Sequence, residues 1–147
     1  MWGAVLLIHV LAATVWAGGH LVLALAVLPK VLRRRDPEAL LRFESDYEPV
    51  GLAALVIQVA TGLWLAYRMV PDVGEWFAFE HPVARLIGVK LLLLAATVLL
   101  AADARLRILP RLSASRLTAL AWHIVPVTVI AVLLVFVGVS FRTGWLY

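Results

Sequence analysis

The chain has 147 residues, of which 64% are hydrophobic and only 15% charged, with a formal net charge of +4 and no cysteine. A soluble domain is nearer 45–50% apolar and about 25% charged, so this is a membrane composition, in a length that fits one domain. The lack of cysteine excludes disulfides, thiolate metal sites and iron–sulfur clusters, leaving His, Met, carboxylates and Lys as ligands.

The first predicted helix covers residues 3–32. No Lys, Arg, Asp or Glu occurs from Met1 to Pro29, and about 20 apolar residues suffice to cross a bilayer core. The stretch has no basic N-terminal region and its apolar run is too long for a signal peptide, so it reads as a mature transmembrane helix. It carries His9 and His20, eleven residues apart. Eleven steps of 100° return to within about 20° of the start, so the two imidazoles point the same way. Trp16 points there too and is expected to serve packing. Gly18 and Gly19 would let another helix or a flat ring approach.

"RRRDPE" marks the exit from the first helix. "PEALLRFESDY" reads as a short interfacial helix with Asp36 as N-cap and Pro37 at its first position. The second membrane helix is expected over 49–69, with Gly51, Gln58 and Gly62 in one sector and Gln58 able to hydrogen-bond across the bundle. The Pro- and Gly-containing loop "VPDVGEWFAFEHP" follows, acidic, aromatic and carrying His81. A third helix is expected over 83–109, with an apolar stretch from Leu86 to Ala102 interrupted only by Lys90. A fourth, over 114–141, contains Trp122, His123 and Pro126, whose missing N–H frees a backbone carbonyl nearby.

These elements predict an all-α fold, an integral membrane four-helix bundle forming a single domain in the bilayer. Lys30, Arg33, Arg34, Arg35 and Arg42 lie in the first loop and Arg105, Arg107, Arg111 and Arg116 in the third. Positive charge marks cytoplasmic loops, which places both termini and the second loop on the external, periplasmic side of a bacterial inner membrane. The same distribution assigns the basic residues to orientation and lipid headgroups, not to nucleic acid. Trp2, Trp64, Tyr67, Trp76, Phe77, Trp145 and Tyr147 then fall at the external interface and Trp122 at the cytoplasmic one, as aromatic belts require.

Polar residues inside a membrane are costly and mark function. With a rise of about 1.5 Å per residue, His9 lies about 10 Å in from Trp2, and Lys90 about 12 Å in from Pro82 on the same side. His20 and His123 share a deeper level. Imidazoles at two depths suit haem b, whose iron takes axial His and whose sites in bundles are built from facing helices. His20 with His123 would form one axial pair. His9 would serve an outer haem, partnered by His81 or Lys90, with Lys90, Arg85 or Arg68 on a propionate. Copper is the alternative: His9 and His81 beside Asp72, Glu75 and Glu80 would suit Cu(II). Asp103 is expected to be solvated and paired with Arg105 or Arg107.

"HVLAATVWAGG" resembles the start of the copper-resistance D (CopD) family of membrane proteins. The layout is also similar to the HemJ-type protoporphyrinogen oxidases, on His9, Trp16, Gly19, Pro29, "RFESDYEP", "TGLWL" at 61–65, Lys90 and Pro126. The resemblance implies a four-helix membrane protein binding b-type haem, with His9 and Lys90 tied to haem and activity. His20 and His123 are not part of that pattern and point to a second haem. The expectation is therefore a two-haem membrane cytochrome. It would pass electrons between a donor, such as a quinone or another redox protein, and an acceptor at the outer face. Oxidoreductase chemistry on a small substrate and assembly as a homodimer are both compatible with it.

Overall fold

The computed structural model describes residues 1–147. Four helices are long and apolar enough to cross a membrane: α1 (Trp2–Arg34), α2 (Pro37–Met69), α3 (Pro82–Arg111) and α4 (Ala114–Thr143). There is no strand. This is an all-helical, multi-pass membrane protein whose surroundings are the lipid bilayer. Both termini and the α2–α3 loop lie at one end of the bundle, termed the terminal end. The α1–α2 and α3–α4 connections, with the Arg-rich segments, form the opposite, basic end.

α1 does not stop at Pro29. It widens into a π-helical turn over Leu23–Val27 and continues to Arg34. α3 does the same, with a π turn over Ala104–Ile108 ahead of Pro110. Proline cannot donate to the carbonyl four residues back, and its ring crowds that carbonyl. A widened turn just before the proline relieves both problems and lets the helix run on. Arg35 then takes a left-handed conformation, φ 52°, which ends α1.

Asp36 caps α2 as expected, its carboxylate accepting from the Ala39 N–H at 3.0 Å. The interfacial helix is not separate: the chain stays helical from Pro37 through Pro49 to Met69. Pro49 lacks an N–H to give but leaves the helical path intact because the flanking turns are held by α1. At the other end Val70 is extended, and a short 3₁₀ turn over Val73–Phe77 leads to α3. Trp76 is in that turn. It is not in the interfacial belt but buried, donating its indole N–H to the Val70 carbonyl at 2.9 Å.

α1 packs along α2 and against α4, and α4 packs along α3. α2 and α3 scarcely touch each other along their lengths. The buried side chains form three layers. At the basic end Leu28, Val31, Leu40, Ile108, Leu117, Leu120 and Ile124 meet. In the middle Ala12, Trp16, Ala17, Ala54, Val127, Ala131 and Leu134 meet. At the terminal end Ala66, Val70, Trp76 and Ile87 join α2, the loop and α3. Lipid tails are as apolar as these side chains, so close packing of small residues, not burial from water, holds such helices together. The alanines of the middle layer fit that requirement.

Tyr47 shows how close the approach is. Its ring fills the space beside Gly19 of α1 and Gly51 of its own helix, where a Cβ on either glycine would overlap it. Its hydroxyl reaches the Val15 and Trp16 carbonyls at 3.1 and 3.0 Å. The flat ring for which Gly19 leaves room is thus a side chain of the protein itself.

Candidate functional site

In the terminal half, between the middle layer and the membrane surface, the four helices enclose a cavity of about 610 Å³. That lies within the roughly 300–1,000 Å³ typical of small-molecule sites. Its wall is mostly aliphatic, with Trp16, Leu55, Leu94 and Leu134 toward the bundle centre. The polar groups on it are few: His9 and Thr14 from α1, Gln58 from α2, Lys90 from α3 and Arg142 from α4. No carboxylate lines it.

His9 is held in one orientation. Its Nδ1 lies 3.0 Å from Thr61 Oγ1. The Thr61 hydroxyl has one proton, and that proton is committed to backbone carbonyls, Ile57 at 2.6 Å and Gln58 at 3.2 Å. With that proton on the nearer carbonyl, Ile57, Thr61 accepts from His9, an assignment that puts the hydrogen on Nδ1 and the lone pair on Nε2. A ligating His commonly has its other N–H engaged in this way, which fixes both ring and tautomer. The ring fits against Gly62, where a Cβ would stand 3.0 Å from His9 Cε1.

Lys90 faces the cavity from α3. Its Nζ is 5.9 Å from the centre of the Phe141 ring and would be 3.5 Å from a Cβ on Gly138. None of the protein's ion pairs includes it. Each of the two reactive side chains thus lies beside a glycine of a facing helix, His9 beside α2 and Lys90 beside α4. Gln58 does not bond across the bundle as expected; its Oε1 is buried without a partner.

The other expected site residues lie elsewhere. His20 donates Nδ1–H to the Trp16 carbonyl at 2.9 Å and packs with Trp16 and Tyr47. His123 has both nitrogens engaged, Nδ1 with the Ala119 carbonyl at 3.0 Å and Nε2 with Asp103 Oδ2 at 2.9 Å. That leaves no lone pair on His123 to face His20, so the structure does not assemble the expected axial pair. Asp103 also pairs with Arg107 at 3.2 Å. His81 does not dip inward; it precedes α3, exposed, with Nε2 3.1 Å from Glu75. Arg85 gives Nη2–H to the Leu146 carbonyl at 2.6 Å and fastens the C-terminus to α3. Of the expected site residues, the cavity takes His9, Trp16 and Lys90.

The donor sets suit the two groups unequally. For copper, no three His, Asp or Glu side chains are placed to hold a metal ion. Asp72 instead caps the Gly74 N–H at 2.8 Å. For haem, a single free imidazole nitrogen, glycine-lined walls and an apolar chamber with two cations fit a flat dicarboxylate macrocycle.

The model of a family described as copper resistance protein D matches residues 41–141, more than half of the chain. The chain belongs to the copper resistance protein D family. No match was found among curated proteins or among solved structures. The description of that family refers to copper resistance. Lys90, His81 and His123 lie within the matched stretch, while His9, Trp16 and His20 precede it.

Sequence reasoning missed Thr61, Gly138 and Arg142. Thr61 opens the "TGLWL" stretch, four residues from the Ile57 carbonyl it bonds, and a hydroxyl beside a glycine facing a membrane imidazole was the available signal. Gly138 and Arg142 are four residues apart on α4 and so share a face, but nothing in the sequence pairs that face with Lys90.

Proposed function

We propose that this CopD protein is a membrane cytochrome that binds one b-type haem in the terminal-end cavity, where His9 Nε2 would hold the iron. The supporting observation is the His9–Thr61 hydrogen bond, which leaves Nε2 bare within a ring-sized apolar chamber. Lys90, without an ion-pair partner, supplies either a second ligand or the counter-charge for a propionate. Arg142 adds a second cation. Bound haem supplies one-electron redox chemistry. The chain's part is to orient the imidazole through Thr61, to keep the chamber dry with aliphatic walls, and to balance charge with Lys90 and Arg142. The chamber lies near the membrane surface at the terminal end. With the basic end facing the cytoplasm of an inner membrane, that surface is the external one, and electrons exchanged there come from a membrane donor such as a quinone or from another redox protein.

Copper handling is the second reading, favoured by the family to which the chain belongs. His9 and the Met69 thioether are the soft or borderline donors on the cavity wall. Elemental analysis of the purified protein separates the two. Iron in stoichiometric amount, with b-type bands in a reduced-minus-oxidised spectrum, supports the cytochrome. A colourless preparation that retains copper through dialysis refutes it.

A further inference from the structure

The cavity is not sealed from lipid. Trp16 and Leu134, where α1 and α4 pack, are buried. Toward the terminal end the same two helices carry cavity-lining residues that are open to the outside: Val10 is 50% exposed, Val135 45% and Val139 41%, and Thr14 is exposed as well. A residue that both lines a cavity and is half exposed stands at an aperture. α1 and α4 therefore meet at mid-membrane and part above it, leaving a slot on the lipid-facing side of the bundle.

The rim of this slot is apolar. The one hydroxyl on it, Thr14, is turned back onto the Val10 carbonyl at 2.9 Å. The mouth at the membrane surface differs in character, being aromatic and basic, with Trp2, Met69 and Arg142 exposed on the lining. Trp2 lines that end of the cavity and leans on Trp64, ring centres 5.9 Å apart, with Arg68 above Trp64 at 5.8 Å.

We propose that haem reaches the cavity sideways, out of the bilayer leaflet at the terminal end, through the slot bounded by Val10, Thr14, Val135 and Val139. The inference rests on the haem reading and adds the route to it. Charge complementarity names the occupant: Lys90 and Arg142 are the charged side chains of the lining and no acid opposes them. A membrane-dissolved ring with two carboxylates satisfies both the apolar slot and the two cations.

The test loads haem-free protein, reconstituted in phosphatidylcholine vesicles, from donor phosphatidylcholine vesicles containing haem, and follows the Soret band with time. Val135→Trp and Val10→Trp narrow the slot from α4 and α1 independently, at positions where the surroundings are lipid. Val56→Trp on α2, 61% exposed and not part of the lining, is the control. Loading slowed tenfold or more by either rim variant, with a control within twofold of wild type, is the expected result. Rim variants that load as fast as wild type overturn the lateral route and leave the haem reading intact. A wild-type protein that takes up no haem removes both.

Discussion

His9 Nδ1 and Thr61 Oγ1 lie 3.0 Å apart, joining α1 to α2 inside the membrane. Because the Thr61 proton goes to backbone carbonyls, this contact decides which imidazole nitrogen is free. Thr61→Val keeps the shape and removes the acceptor. Loss of such a supporting partner lowers affinity for the bound group about 10–100-fold. Thr61→Ser restores the acceptor and should bind within a few-fold of wild type. Haem titration of the two variants checks this.

The two glycines facing the site should respond differently. A methyl group at Gly62 would stand 3.0 Å from His9 Cε1, tighter than ordinary contact, while one at Gly138 would stand 3.5 Å from Lys90 Nζ, an ordinary distance. Gly62→Ala is expected to turn the ring off its Thr61 bond and reduce haem content at least several-fold. Gly138→Ala is expected to leave it near wild type. Haem per chain after purification reads both.

His123 and Asp103 tie α4 to α3, with Nε2 2.9 Å from Asp103 Oδ2, and the one-haem reading proposed above gives them no part in holding haem. His123→Ala should leave haem content unchanged. It should lower resistance to unfolding only modestly, by about 0.5–1.5 kcal/mol for the lost bond, because Asp103 is partly exposed and keeps Arg107 as a partner; a denaturant titration in detergent micelles reads this. Loss of half the haem in this variant would restore the second site.

Tyr47 and Gly19 lock α1 to α2. Tyr47→Phe removes a hydroxyl from the Val15 and Trp16 carbonyls, and interhelical bonds of this kind in membranes contribute about 0.6–2 kcal/mol. Gly19→Ala forces a methyl group into the Tyr47 ring. The ring cannot retreat because Gly51 is on its other side, so a cost of about 1–3 kcal/mol is expected. Thermal unfolding followed by circular dichroism orders the variants.

Four apolar stretches and their charged connections were readable directly, because a membrane span announces itself by length and composition. The phase of His9, Trp16 and His20 on one helix also follows from sequence alone. What periodicity lacks is the rotation of one helix against another. Matching His20 to His123 by depth assumed that both faced the same interior, whereas His123 turns to Asp103, a residue that looked solvated. A proline misled in a second way: Pro49 read as the start of the second helix, yet the helix runs through it from Pro37 to Met69. Trp76 looked interfacial because its loop is external, but its indole N–H finds the Val70 carbonyl and its ring finds α3.

The haem-to-protein ratio of purified wild type, His9→Ala and His20→Ala tests the central claim most directly. One haem per chain in wild type, lost in His9→Ala and kept in His20→Ala, is the expected pattern. A ratio near zero in wild type, or haem that survives His9→Ala in full, contradicts a cytochrome built on His9.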